Sequence, residues 1–112
     1  MNAATLDAPT VQALRRLDVD GRLFPRLQAA FARTVAQHGP ALQRGHDPSA
    51  QKRAAHTLRA AAAQLGAQEL ASHCARIEAE PGPLSPAQCA ALQQLLDDAQ
   101  QALLALTQPS PC

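Results

Sequence analysis

His56 lies in the run Lys52-Arg53-Ala54-Ala55-His56-Thr57-Leu58-Arg59-Ala60-Ala61-Ala62-Ala63-Gln64-Leu65-Gly66-Ala67. A neutral imidazole with one free ring nitrogen is a competent nucleophile near neutral pH. The alanine content of the run favours a helix. At helical spacing Leu58 lies about 160° round from His56, and Leu65 about 180°. Ala55, Leu58, Ala62 and Leu65 therefore face a core while His56 faces water. Lys52, Arg53, Arg59, Ala60 and Ala63 all fall within about 60° of His56. The result is an exposed imidazole ringed by three cations, with small side chains beside it. Another protein can reach such a histidine and leave an anion on it. Spacing alone favours ordinary solvated polar surface.

The elements that must hold this helix are legible from caps and stripes. A first helix is expected from Asp7, with Asp7 or Thr10 as cap, Pro9 in the first turn and Val11, Leu14 and Leu17 as its stripe. Asp18 or Asp20 caps a second helix, whose Leu23, Phe24, Leu27, Phe31 and Val35 recur at helical spacing. Pro25 fits only near its start, which favours a beginning near Gly21. Gly39-Pro40 ends or kinks it, with the end between Gln37 and Arg44. Asp47-Pro48 opens the His56 helix, and Gly66 terminates it. A short helix follows, with Leu70, Cys74 and Ile77 as its stripe. Glu80-Pro81-Gly82-Pro83 is a turn. Ser85-Pro86-Ala87-Gln88 is a capping box with proline at the first helical position. The last helix carries Leu92, Leu95, Leu96, Ala99, Leu103 and Leu106, and Thr107 to Cys112 is expected to fray. The pattern is all-α: an antiparallel four-helix bundle, up-down-up-down, with a short additional N-terminal helix across one end. Leu27, Phe31, Leu58, Leu65, Ile77, Leu92 and Leu103 are the expected core.

Composition sets bounds on function. The 112 residues fit one domain over 1–112, with a core of about 7–107. Hydrophobic residues make up 46% and aromatic residues only 2%, so no strand-forming run exists and the helices must pack closely. The formal net charge of +1 gives no reason to expect nucleic acid or an anionic membrane as partner. Cys74, Cys89 and Cys112 are an odd set and form no closed disulfide framework. Cys74 reads as a small core residue, Cys89 similarly, and Cys112 as a tail thiol without a prenylation pattern. No signal peptide or transmembrane run is present, so the chain reads as cytoplasmic. His38 and His46 sit near helix ends or in a loop. His73 and Cys74 are adjacent and point about 100° apart, so no metal site is expected. No glycine-rich phosphate loop, no Ser-His-Asp pattern and no kinase nucleotide-binding segment occur.

The residues His56, Leu58, Arg59, Ala60, Leu65, Gly66, Ala67, then Leu70, Cys74 and Ile77-Glu78, resemble the histidine-containing phosphotransfer (HPt) domains of two-component phosphorelays. The family pattern is roughly His-x-Leu-Lys-Gly-x-x-x-x-Leu-Gly-Ala, followed by Leu, Cys and an aliphatic-Glu pair. Asp20 to Phe31 also resembles the family's preceding helix. Arg59 replaces the usual lysine, keeping charge but changing its shape. Ala60 replaces the usual glycine, adding a methyl where partners approach.

The resemblance implies that His56 accepts a phosphoryl group from an aspartyl phosphate of a response-regulator receiver domain and passes it to another receiver. Arg59 would neutralise phosphoryl oxygens, or is solvated surface. Glu78, 22 residues after His56, would accept a bond from Nδ1–H and leave Nε2 as the nucleophile, or is likewise solvated. Lys52, Arg53, Ala60 and Ala63 would form the docking pad. The implied partners are receiver domains and hybrid sensor kinases, with Mg²⁺ on the receiver, no cofactor bound by this chain, a monomer, and no autonomous turnover. The alternative is a degenerate, non-phosphorylated helical adaptor that binds receiver or kinase domains.

Overall fold

Three caps anchor the helices where the sequence places them. Asp7 Oδ1 accepts from Thr10 N at 2.8 Å and opens α1, Ala8–Leu17. Asp47 Oδ1 accepts from Ser49 N at 3.0 Å and opens α3, Pro48–Leu65. Ser85 Oγ accepts from Gln88 N at 3.2 Å while Gln88 Oε1 accepts from Ser85 N at 2.9 Å, a reciprocal box that opens α5, Pro86–Thr107. Between these lie α2, Leu23–Gln43, and α4, Gln68–Ala79. The computed structural model describes residues 5–43, 47–80 and 82–107, which hold five helices and no strand. Expectations for His46, Pro81, Cys112 and the fraying tail fall outside the described residues.

The second helix begins two residues later than the expected Gly21. Gly21 is instead a turn at φ +73°. Asp20 Oδ1 accepts from Arg22 N at 3.0 Å and Asp18 Oδ1 from Leu23 N at 3.2 Å. Pro25 is then the third helical residue, where no intrahelical donor is required. At the other end the helix continues through Pro40 to Gln43. Leu42 is fully buried, and reaching the core from that position requires one more turn.

Helix α2 packs on α3 and α5, and α4 also packs on α3 and α5. These four close round a core in which Leu42, Leu58, Leu70, Leu92, Leu96 and Leu103 are all but inaccessible. Ala54, Ala55, Ala62, Ala67 and Ala99 are buried among them, letting the helices approach closely, and Phe24 and Phe31 are buried as well. Leu27 is a correction: it is half-buried, at the edge of the core. Leu95 and Leu106 are half-buried too. The stripe expected for α1 is also corrected. None of its residues is fully buried: Val11 packs at the edge of the core and Leu14 is half-buried, but Leu17 is 72% exposed, and Arg15 lies over the ring of Phe24 at 5.3 Å. No described helix is long and apolar enough to cross a membrane.

The joint between α3 and α4 is the tightest point of the chain. Gly66 takes φ +77°. Ala67 N donates to Ala62 O at 2.9 Å and Gly66 N to Ala63 O at 3.2 Å, which caps the carbonyl end of α3 in the left-handed manner. Asp7 locks over this joint. Its N–H donates to Gly66 O at 2.9 Å, and its Oδ2 accepts from Gln68 Nε2 at 2.9 Å.

A Cβ on Gly66 would lie 2.8 Å from both Asp7 Oδ2 and Thr10 Cβ, so a side chain there both strains the backbone and pushes α1 away. We expect Gly66→Ala to cost about 2–4 kcal/mol, read from urea denaturation. A loss below about 1 kcal/mol would show that α1 is not held at this joint.

The bonds from Gln68, then from the Thr10 backbone and side chain, hold the Asp7 carboxyl below its ordinary range. A carboxyl with a lowered folded-state pKa stabilises fully above its unfolded value and loses that contribution as pH falls through the folded one. Stability should therefore decline on acidification below the ordinary aspartate range. Asp7→Ala should remove part of that slope; an unchanged acid limb would refute the assignment.

Candidate functional site

Helix α3 has two faces, as its spacing requires. Ala54, Ala55, Leu58, Ala62 and Leu65 are buried against α2 and α4. His56, Ala60, Ala63 and Arg53 are exposed on the other side, with Lys52 and Arg59 half-buried. The His56 side chain is 65% exposed. Burial of Leu70, Cys74 and Ile77 turns α4 so that Glu78 comes up beside the imidazole, and its side chain is only 22% exposed.

Glu78 Oε1 lies 2.9 Å from His56 Nδ1. A carboxylate only accepts, so this bond requires the proton on Nδ1 and leaves the lone pair on Nε2. Among the described residues Nε2 has no hydrogen-bond partner. Arg59 also turns toward this point. Its Nε is 2.9 Å from Glu78 Oε2, and its Nη2 is 3.2 Å from His56 Nδ1. Glu78 Oε2 is shielded from water and receives no directed hydrogen bond. The Arg59 contact is therefore an ion pair whose N–H is not aimed along the line of centres. In the resting arrangement the guanidinium is drawn onto Glu78.

The structure thus joins His56, Arg59 and Glu78. Lys52 and Arg53 lie one turn back on the same face, with no described bond to the imidazole. Cys74 sits one turn before Glu78 on α4. Burial, helped by the charge of Glu78 and opposed by Arg59, pushes its thiol up to about 12, so it stays protonated and inert. Cys89 is half-buried, its Sγ 3.8 Å from Leu42 O. Among the described residues no group of three side chains is placed to hold a metal.

Two further polar residues, Gln51 and His73, are structural. Gln51 is buried at the start of α3, where its Oε1 accepts from Leu84 N at 3.4 Å and ties the helix to the segment before α5. Its seven-residue spacing from Leu58 puts it on the core stripe, which was the available signal. His73 is also buried, with Nε2 3.3 Å from Gln88 O and Nδ1 3.4 Å from Arg76 Nη2. A carbonyl accepts, so the proton sits on Nε2 and this histidine offers no free nucleophile there. Its spacing from Leu70 and Ile77 would have marked it as a core position.

A family model described as the Hpt domain matches residues 21–102. That span takes in α2 to α4 and most of α5, and leaves α1 outside. No curated protein and no solved structure is significantly similar to the chain.

Proposed function

The chain belongs to the Hpt domain family, and from that footing we propose that it is a histidine phosphotransfer protein whose acceptor is His56. Hpt domains carry phosphoryl groups within two-component phosphorelays. The observation that carries the assignment to His56 is the bond of 2.9 Å from its Nδ1 to Glu78. It orients an exposed ring and leaves Nε2 available, the part an acid plays for the histidine of a catalytic triad.

The transfer balances without a base. The Nε2 lone pair forms a bond to phosphorus as the P–O bond of the aspartyl phosphate breaks, and the aspartate leaves as carboxylate. The ring becomes an imidazolium, and Glu78 faces that positive charge through the shared Nδ1 proton. Passing the group to a second receiver reverses these steps. The receiver supplies the acidic pocket and Mg²⁺; in this reading the chain needs no cofactor of its own and turns over no substrate alone. Lys52 and Arg53 attract the acidic receiver or hybrid kinase, and Ala60 and Ala63 leave it room. The helices present this face as an antiparallel, up-down-up-down monomer.

Incubation with phosphorylated receiver domains tests the proposal. Acid-labile, base-stable label should appear on the chain. His56→Gln should abolish it and change stability by no more than about 1 kcal/mol, since the site is exposed and an amide still donates to Glu78. Label persisting in that variant would move the acceptor elsewhere; receiver binding without any label would indicate the adaptor reading.

Ala60 tests the docking face. Ala60→Trp should lower stability by well under about 1 kcal/mol. Transfer from a receiver should nevertheless fall by about a hundredfold, because about 1 Å of misplacement is enough for such a loss. Labelling by the small donor phosphoramidate should be unaffected. Normal transfer from receivers would place docking on another surface.

A further inference from the structure

We propose that Arg59 and Glu78 hold opposing claims on Nδ1 of His56, and that Glu78 prevails by holding the proton on that nitrogen. Arg59 is then a competitor for the ring that Glu78 holds off, not a ligand of the phosphoryl group. This deepens the phosphotransfer reading and rests on it.

The geometry sets the conflict. Glu78 Oε1 at 2.9 Å from Nδ1 needs a proton there. Arg59 Nη2 at 3.2 Å from the same atom needs a lone pair there. A neutral ring nitrogen carries one or the other. If Glu78 prevails, Nε2 keeps its lone pair and can attack. If Arg59 prevails, the proton sits on Nε2 and the nucleophile is gone.

Arg59 is restrained by charge. Its Nε lies 2.9 Å from Glu78 Oε2, an oxygen closed off from water. The planar guanidinium presents Nε to Glu78 and Nη2 to the ring at once, from two nitrogens in a fixed geometry. The transfer step sharpens the dependence. When Nε2 bonds to phosphorus the ring becomes positive; Glu78 stabilises that charge and Arg59 opposes it. The phosphoryl group forms on the Nε2 edge, whereas Arg59 stands at the Nδ1 edge. Removing Glu78 alone therefore does harm twice: it frees Arg59 to take the lone pair, and it leaves a bare cation beside a developing imidazolium. Removing Arg59 as well relieves both.

The test uses the full chain as wild type, Arg59→Ala, Glu78→Ala and the double variant. Phosphoramidate is the donor, its P–N bond breaking with loss of ammonia, so receiver docking plays no part. Long-range proton–nitrogen NMR correlations read the His56 tautomer, and thermal melting checks each fold. Wild type should carry the proton on Nδ1. Glu78→Ala should move it to Nε2 and slow labelling by about a hundredfold. Arg59→Ala should keep the Nδ1 proton and label within about threefold of wild type. The double variant should label at least about tenfold faster than Glu78→Ala. A double variant no faster than Glu78→Ala overturns the proposal. So does an Arg59→Ala protein that labels slowly with its tautomer unchanged, which would put Arg59 on the phosphoryl group. If wild type takes no label from any donor, the phosphotransfer reading fails, and the tautomer measurements still decide the Arg59–Glu78 relation.

Discussion

The site depends on the single left-handed residue at Gly66. His56 lies ten residues before it and Glu78 twelve after it. At about 1.5 Å per residue, these are about 15 and 18 Å from the joint along their helices. The two side chains meet because the chain reverses in one step and α4 lies back along α3. A residue inserted or lost in the joint or in the first turns of α4 would rotate Glu78 by about 100° and break the contact with Nδ1. The capping bonds to Ala62 and Ala63 satisfy the carbonyl end of α3 at the same point. Asp7 closes over the joint with bonds to Gly66 and Gln68, so α1 stabilises the register of a site it does not touch.

Glu78 is the costly member of the site. Removing a carboxylate from water is unfavourable unless it finds partners, and one of its oxygens is wholly shielded. The surroundings offset that cost with His56 on one oxygen and Arg59 on the other. Burial raises the neighbouring Cys74 thiol, and the Glu78 carboxylate one turn on adds to the rise, so the thiol stays neutral. A carboxylate so held is well suited to a ring that becomes positive, because it need not reorganise when the charge appears.

The rest of the bundle supplies rigidity with modest means. With two phenylalanines and no tryptophan or tyrosine, the core relies on leucines spaced along α2 to α5 and on alanines that let the helices approach closely. Gln51 and His73 add polar ties, to Leu84 and Gln88, where α3 and α4 pass the segment leading into α5. Together they keep the exposed face of α3 in place while leaving it open.

Much was decided by the sequence itself. Asp47-Pro48, Gly66 and Ser85-Pro86-Ala87-Gln88 mark helix ends because capping is local: donor and acceptor lie within a few residues of each other. The faces of α3 follow from its 3.6-residue period alone, so the exposure of His56 and the burial of Leu58 were legible, as was the likeness of this run to its family. What the period cannot state is a distance between helices. It left Leu27 and Leu17 on apolar stripes, and only the packing put the one at the edge of the core and the other in water. It ringed His56 with three cations and treated them alike, whereas the fold drew Arg59 onto Glu78 and left Lys52 and Arg53 apart. Gln51 and His73 lie at core spacing on their helices, but which groups they would bond, Leu84 N and Gln88 O, only the packing decides. The physical reason is common to these cases: helix periodicity fixes direction within one element, but charge pairing and burial depend on how one element is set against the next, as the joint at Gly66 sets α4 against α3.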